Sequence, residues 1–273
     1  MTGAQADKAK TFLELHRPGD PLLMPNAWDL GSAALLASLG FKALATTSSG
    51  HAATLGRLDG GVTRDEALAH AAALARGTDV PVSADLENAF ADELEGVAET
   101  IRLALETGLA GCSVEDYSGS DGGSIYELGA ARDRVEAAAE VAHSGPVKLV
   151  LTARAENHIR GRQDLDDTIA RLQAYQEAGA DALFAPGLKT PTDIRRVVES
   201  VDLPVSVLAV RGAPSVSELA SLGVARISVG GAFAFAALGA LAEAAEELRD
   251  QGTYGYLEQA ATGGRMARSA FAR

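Results

Sequence analysis

The sequence predicts an α/β protein built as a single (β/α)₈ TIM barrel, and three observations support this. The chain has 273 residues, and barrels of this kind commonly reach such a length as one domain. Hydrophobic residues make up 47% of the chain, which is enough for an extended core. Eight short apolar segments alternate with longer amphipathic ones, and that alternation is typical of a closed parallel barrel.

The predicted strands are short runs of β-branched or small apolar residues, as is typical of strands buried on both faces. They span residues 22–25, 43–48, 80–85, 111–116, 147–154, 182–185, 205–209 and 226–229. A leading helix is expected at residues 6–16, before a barrel that covers about residues 20–250 of the single domain 1–273.

Two of the predicted helices carry clear end signals. Residues 63–75 begin with Thr63 and have Glu66 three residues later, which is the pattern of a capping box. Residues 167–178 keep apolar side chains at helical spacing and end before Gly179.

Beyond the barrel, residues 240–249 and 256–266 are also amphipathic. They exceed what is needed to close a barrel, so residues 240–273 are predicted to form a C-terminal helical extension.

An open doubly wound sheet is the alternative architecture. Such sheets usually have fewer strands and often a glycine-rich phosphate turn after the first strand. Here residues 24–29 read MPNAWD and contain no glycine, which favours the barrel.

Composition limits the classes of partner. The net charge of −13 argues against nucleic acid or an anionic membrane as a partner. The single cysteine, Cys112, and the polar first residues fit a reducing cytoplasm and no signal peptide. The most apolar long stretch, residues 230–242, is too short to span a bilayer. We therefore expect a cytoplasmic protein, and an acidic substrate would need a bound metal or a buried arginine to offset repulsion.

Charged side chains collect where the predicted strands end, and barrel enzymes place their active sites there. Asp85 and Glu87 follow the third strand, Glu115 ends the fourth and Arg154 ends the fifth. Strand alternation would place Ser83, Asp85 and Glu87 on one face. Oxygen ligands gathered in this way suit Mg²⁺, or alternatively Mn²⁺. A salt-bridge cluster between Arg154 and the acids is the other interpretation.

The end of the second strand gives a different signal. Residues 46–50 read TTSSG, a hydroxyl-rich run with a glycine that lets the backbone approach a ligand closely. Its N–H groups could bind a carboxylate or a developing oxyanion, and an ordinary turn is the alternative. We interpret Cys112 as structural, His51 as structural, and His158 and Arg160 as parts of a solvated face.

Together these segments resemble the isocitrate lyase/phosphoenolpyruvate mutase superfamily. The matching segments run in family order from about residue 20 to 250: PNAWD at 25–29, TTSSG at 46–50, GRLDG at 56–60, SADLEN at 83–88, VED at 114–116 and LTARAE at 151–156. The resemblance implies a barrel, a magnesium ion, an enolpyruvate-type intermediate, and a homodimer or homotetramer that exchanges a C-terminal helix.

The resemblance also implies roles for individual residues. The expected metal ligands are Asp85, Glu87 and Glu115. The residues expected to bind the 2-oxo acid are Ser48, Ser49, Gly50 and Arg154. Asp59 matches the loop aspartate near the reacting centre, so the expected catalytic residues are Asp59, Glu115 and Arg154.

The loop after the fourth strand departs from the superfamily pattern. (Methyl)isocitrate lyases carry Lys-Lys-Cys-Gly-His or a similar run there, whereas residues 117–126 read YSGSDGGSIY, with no cysteine, lysine or histidine. This counts against a classical (methyl)isocitrate lyase, and the asparagine and basic residues of phosphonomutases are absent as well. The glycine and serine content predicts that residues 117–129 form a mobile lid.

The expected function is a magnesium-dependent lyase that cleaves a C–C bond of a small 2-oxo or 2-hydroxy carboxylic acid by retro-aldol scission or decarboxylation. One alternative is a phosphonomutase or phosphonopyruvate hydrolase acting on a P–C bond. The other is a barrel that binds an acid without turning it over.

Overall fold

The computed structural model describes residues 2–119 and 123–272, and its strands form one parallel barrel. The strands are β1 Leu22–Met24, β2 Asn26–Ala27, β3 Leu44–Thr46, β4 Val82–Asp85, β5 Gly111–Glu115, β6 Val150–Arg154, β7 Ala182–Phe184, β8 Val205–Leu208 and β9 Arg226–Ser228. All eight predicted strands are present, and the first of them is divided in two.

The first strand is divided at Pro25, whose nitrogen has no hydrogen to donate to a ladder. Its first part, β1, pairs with β9, and its second part, β2, pairs with β3. The side chain of Asn26 strengthens this seam. Its Nδ2 donates to Thr46 O at 2.7 Å, and its Oδ1 accepts from the N–H groups of Val229 and Gly230 at 3.0 and 2.8 Å. The barrel is thereby joined where its two ends meet, and the alternative of an open sheet is wrong.

Helices surround the barrel and close its lower end. They are α1 Thr2–Glu14, α2 Leu30–Ser38, α3 Ser48–Thr54, α4 Arg64–Gly77, α5 Leu94–Leu105, α6 Leu128–Ala142, α7 Leu165–Glu177, α8 Pro191–Glu199, α9 Val216–Ser221, α10 Ala232–Glu246 and α11 Leu257–Phe271. The capping box of Thr63 and Glu66 is present at the start of α4.

Three predicted helix boundaries need correction. Helix α1 covers residues 2–14 rather than 6–16. Helix α10 begins at Ala232, because the apolar run that follows Gly231 is helical from its start, and it continues into a π-helical turn, Glu247–Gln251. Helix α11 extends to Phe271. None of the helices in the described ranges combines the length and the apolar character needed to span a bilayer.

The main core lies between the outside of the barrel and its helices. Cys112, Leu151 and Leu183 project outward from their strands into it and are fully buried. Burial raises the pKa of the Cys112 thiol to about 12. This agrees with the interpretation of Cys112 as a packing residue, since a reactive cysteine needs an accessible thiolate.

Helix α1 closes the bottom of the barrel. Phe12 is fully buried in a second cluster with Leu22, Ala43 and Val150. The ring lies so close to β5 that a Cβ on Gly111 would stand 2.7 Å from Phe12 Cε1 and 2.7 Å from the carbonyl oxygen of Val150. Glycine at this position therefore allows α1 to seal the lower end.

The substitution Gly111→Ala tests this seal. We expect it to lower the free energy of unfolding by about 1–3 kcal/mol, because the added methyl group meets backbone that cannot move aside. Gly129→Ala in α6 is the matched control, since a Cβ there meets no atom within 4 Å, and it should be neutral or slightly stabilising. Urea unfolding of both variants measures this, and equal stabilities would contradict the proposed packing.

Candidate active site

A cavity of about 200 Å³ opens at the carboxyl ends of the strands. Its walls bring together several residues that the sequence analysis selected, from four separate segments of the chain. These residues are Ser48, Ser49, Asp59, Asp85 and Arg154. The site is therefore located where the barrel fold predicts it.

Asp85 is the acid most directly placed at this cavity. It ends β4, and its own N–H donates to Thr46 Oγ1 at 2.9 Å. Its Oδ2 accepts from the N–H of Ser48 at 3.3 Å. Strand β4 and the start of α3 thus fix this carboxylate at the cavity wall.

Gly50 lies behind the wall rather than in it. It is buried, its N–H donates to Thr47 Oγ1 at 3.3 Å, and a Cβ there would stand 2.5 Å from Thr47 Cγ2 and 3.1 Å from Trp28 Cβ. The glycine is needed for packing α3, so the expectation that its backbone approaches a ligand is not supported by its position. The other four members of the 46–50 segment, Thr46, Thr47, Ser48 and Ser49, line the cavity.

The placement of Glu87 by strand alternation is wrong. Strand β4 ends at Asp85, and Glu87 has a left-handed backbone with φ of 50°, so the period of two does not extend to it. Its side chain borders a small recess with Thr46, His51 and His70 beside Asp85. Burial and then the charges of Asp85 and Asp59 raise the pKa of Glu87 to about 8.

Arg154 is the centre of the charged cluster. Its Nη1 lies 3.7 Å from Asp85 Oδ1 and 3.4 Å from Glu115 Oε2, and its Nε donates to the fully buried Glu156. Burial by itself would lower the pKa of Arg154, but Glu115, Glu156 and Asp85 more than offset this and raise it. Arg154 is therefore a permanent cation held at the cavity.

Arg160 belongs to the same cluster, contrary to its interpretation as part of a solvated face. Its Nε donates to Glu156 Oε2 at 3.0 Å, and its Nη2 lies 3.6 Å from Glu115 Oε1. The guanidinium also stacks over the ring of Tyr117 at 3.8 Å from the ring centre. Two arginines and two glutamates thus alternate at this rim.

A buried acid behind the cluster holds Glu156 in place, and sequence reasoning missed it. Asp116 Oδ1 accepts from the N–H of Glu156 at 2.8 Å. Its Oδ2 accepts from Arg171 Nη1 at 3.1 Å and from Tyr175 Oη at 2.5 Å. The signal in the sequence was an aspartate directly after a buried strand, but its distant partners could not be read from spacing.

The three expected metal ligands do not form a ready-made cage. Within residues 2–119 and 123–272, no group of three or more histidine, cysteine, aspartate or glutamate side chains lies close enough together to hold an ion. Arg154 contacts both Asp85 and Glu115, while Glu87 faces the neighbouring recess. The salt bridges between Arg154 and the acids, which were the other interpretation of this cluster, are present.

A second arginine lies deeper in the cavity, and the sequence analysis did not select it. Arg226 is 3% exposed and starts β9. It bonds to Ser206 Oγ at 2.9 Å, to Thr152 Oγ1 at 3.0 Å and to His16 Nε2 at 3.0 Å. Burial lowers its pKa to about 10, which leaves it cationic at neutral pH. An arginine inside an otherwise apolar strand was the available signal.

The predicted lid is described only at its two ends, because residues 120–122 lie outside the described residues. Tyr117 and Ile125 form an antiparallel bridge, and the N–H of Ser118 donates to Ser124 O at 3.0 Å. A Cβ on Gly60 would stand 3.5 Å from Gly119 O, so the loop that carries Asp59 lies close to the first end. Whether the segment moves stays a prediction.

The fold and the cavity define a (β/α)₈-barrel enzyme with its polar site at the carboxyl ends of the strands. The family model for phosphoenolpyruvate phosphomutase matches residues 12–249. The chain therefore belongs to the phosphoenolpyruvate phosphomutase family, and the resemblance to the isocitrate lyase/phosphoenolpyruvate mutase superfamily is confirmed.

Individual relatives agree with this membership. A candidate lyase/mutase of Burkholderia cenocepacia J2315 is 49% identical, with a TM-score of 0.93 over 99% of this chain and 97% of that one. The 2-methylisocitrate lyase of Bacillus subtilis (strain 168) is 31% identical over 210 residues, which are 74% of this chain and 67% of that protein. The oxaloacetate decarboxylase of Chromohalobacter salexigens is 27% identical over 261 residues, which are 91% of this chain and 88% of that protein. The chain is thus an enzyme of the lyase and mutase class.

The contact between His16 and Arg226 predicts a pH dependence of stability. Burial and the charge of Arg226 lower the pKa of His16 from 6.5 to about 3. Between these two values the unfolded chain binds the extra proton, so this group makes the folded state less stable as the pH falls below about 6.5.

The variant His16→Gln removes the titrating group and keeps an acceptor for Arg226. Its loss of stability on acidification should be shallower than that of the wild type by up to about 1.4 kcal/mol per pH unit. Urea unfolding at pH 7.5, 5.5 and 4.5 measures the difference between the two proteins. A difference that stays constant across this range would show that His16 is not held neutral.

Proposed function

We propose that the protein is a magnesium-dependent lyase that cleaves a C–C bond of a small 2-oxo or 2-hydroxy carboxylic acid, by retro-aldol scission or decarboxylation. The observation that supports this proposal most directly is that Arg154, Ser48 and Ser49 line one cavity, where they could contact the same ligand. Among the relatives, 2-methylisocitrate lyase and oxaloacetate decarboxylase both act on acids of this kind.

The donor set fits a magnesium ion bound mainly through water. Mg²⁺ keeps several waters and typically takes only one or two carboxylates from the protein, so a closed cage is not required. Asp85 at the cavity wall would be the direct ligand, and Glu87 and Glu115 would act through water. Burial, and then the neighbouring charges of Asp85 and Asp59, raise the pKa of Glu87, and a cation bound between these acids would offset those charges.

The side chains around the ion would have separate tasks. Ser48 and Ser49 would bind the carboxylate of the pyruvyl end through their hydroxyl groups and the N–H of Ser49. Arg154 would neutralise the charge of the substrate, and Glu115 and Glu156 would hold its guanidinium. Asp59 would act at the bond that breaks. The ion would supply Lewis-acid stabilisation of the negative charge that develops on the 2-oxo oxygen.

An assay with purified protein tests this proposal. We expect pyruvate from oxaloacetate in the presence of Mg²⁺ at a rate above that of free Mg²⁺, and loss of this activity with EDTA. Pyruvate from phosphonopyruvate instead would favour action on a P–C bond. Thermal stabilisation by oxalate with no turnover of either acid would identify a binding protein and contradict the lyase.

Arg154→Lys and Arg162→Lys form a matched pair for the same assay. Lysine cannot reproduce the fork of donors that Arg154 offers, so we expect kcat/KM to fall by roughly 10²-fold or more. Arg162 is half exposed and pairs with Asp167 outside the cavity, so its variant should retain activity.

We also propose that the protein is a homo-oligomer assembled through α10. In the described structure Ala234 is the one buried residue of this helix, while Phe233, Phe235, Leu238 and Leu241 are 40–64% exposed. Large apolar side chains exposed together on one helix mark a protein interface. A second copy of the chain is the natural occupant, because most soluble oligomers are symmetric homo-oligomers.

The variant Leu241→Glu tests the interface. We expect the wild type to behave as a dimer or tetramer in light scattering after size exclusion, and Leu241→Glu to shift to a smaller species because a charge would be buried. Leu94→Glu is the control, since Leu94 is 44% exposed at the start of α5. A monomeric wild type would contradict the assembly.

A further inference from the structure

Below Arg154, many of the side chains that line the interior of the barrel are small and polar. Barrel interiors are usually filled by layers of bulky branched side chains. Here Leu22, the strand neighbour of Arg226, and Met24 are large and apolar, but five other inward-facing residues are small and four of these carry hydroxyl groups: Ala45, Ser83, Ser113, Thr152 and Ser206. The space that branched side chains would fill is therefore available to the cavity, which reaches down to Arg226.

Arg226 is a buried cation without a carboxylate partner. The three groups that it contacts, Ser206, Thr152 and His16, are all neutral, and no ion pair of Arg226 occurs within residues 2–119 and 123–272. Arg154, by contrast, is surrounded by three acids. Because buried charges in proteins are normally paired, an anion is the missing partner of Arg226.

Further donors face the same space. The described part of the chain provides no acceptor for Arg226 Nη2, and no hydrogen-bond partner for the hydroxyl groups of Ser83 and Ser113. These hydroxyl groups and the guanidinium line one cavity. A carboxylate in it could accept from all three, and a charge-assisted hydrogen bond is stronger than a neutral one.

The depth of the Arg226 guanidinium in the barrel suits an acid with a carboxylate at each end. Thr152 bonds to Arg226, and it precedes Arg154 by two residues on β6. Two residues along a strand span roughly 6.6 Å, so Thr152, which contacts Arg226, lies one such layer below Arg154 in the barrel wall. An extended dicarboxylic acid of four or five carbons can reach from the upper layer to the lower one.

We propose that Arg226, Ser83 and Ser113 form a second anion-binding subsite at the floor of the cavity, which receives the distal carboxylate of a linear dicarboxylic acid. The assignment of the anion to the substrate rests on the proposed function. The subsite itself rests on the unpaired guanidinium and its position in the cavity. It makes the protein selective for acids with two carboxylates over acids of the same length with one.

Equilibrium binding tests the subsite without requiring turnover. Isothermal titration calorimetry compares succinate with butyrate and glutarate with pentanoate, for the wild type and for Arg226→Met and Arg226→Lys. Methionine keeps an extended side chain and removes the charge, whereas lysine keeps the charge. Circular dichroism and thermal unfolding identify the folded variants, and the lysine variant keeps the test decisive if the methionine variant does not fold.

We expect the wild type to bind each dicarboxylate at least about tenfold more tightly than its monocarboxylate partner, which is the effect of one charge-assisted hydrogen-bonded contact. Arg226→Met should abolish this preference, and Arg226→Lys should retain part of it. Oxalate, which is too short to reach the floor, should bind all three proteins with affinities within about threefold.

Two results would overturn the proposal. One is a wild type without preference for the second carboxylate, or a preference that persists in Arg226→Met. The other is stabilisation of the wild type by chloride alone, lost in Arg226→Met, with no preference among the organic acids; Arg226 would then hold a free inorganic anion. Lack of turnover with normal dicarboxylate selectivity would count against the lyase and leave the subsite standing.

Discussion

The site depends on one interaction, the contact of the Arg154 guanidinium with carboxylates from three consecutive strands or their loops. Asp85, Glu115 and Glu156 come from β4, β5 and the segment after β6. In a chain of net charge −13, such acids could not lie together in a partly buried cavity without a cation. Asp116, Arg171 and Tyr175 support the arrangement from behind by holding the backbone of Glu156. The same guanidinium that permits the acids to gather is the one that would meet the substrate.

The sequence predicted the barrel because its signals are local. Short apolar runs and helix caps such as Thr63 with Glu66 are defined by neighbouring residues, and the structure contains them. The position of the site followed from the fold, since all parallel strands end at one rim. Ser48, Ser49, Asp85 and Arg154 were selected in this way and Asp59 through the family resemblance, and all five line one cavity.

Details of the site that depend on distant partners could not be read from the sequence. Strand alternation predicts a shared face for Glu87 and Asp85, but the strand ends before Glu87 and the backbone turns left-handed there. Gly50 is required by the packing of Thr47 and Trp28, which no local pattern reveals. Arg160 contacts Glu156, 4 positions away, but also Glu115 on another strand, and Arg226 contacts His16, 210 positions away in the chain. Spacing rules describe one element at a time, whereas these contacts join several.

The loop after β5 bears on the chemistry that the family scaffold supports here. Residues 117–126 contain no cysteine, lysine or histidine, so the usual proton donors that this segment offers are limited to its two tyrosines and one aspartate. A departing carbanion needs a proton, and this loop has fewer kinds of donor for it than the loop of (methyl)isocitrate lyases, which carries lysine, cysteine and histidine.

The segment just after helix α1 contacts the floor of the cavity through a hydrogen bond between His16 and Arg226, and Phe12 of α1 is buried in one cluster with Met24 and Ala45 of the cavity wall. A shift of the residues just after the first helix would therefore change the contacts of Arg226 inside the barrel, although these residues lie at the end opposite the site. A fusion tag or truncation that shifts α1 would alter how firmly the guanidinium is held. Engineering of the amino terminus is for this reason not neutral for the cavity.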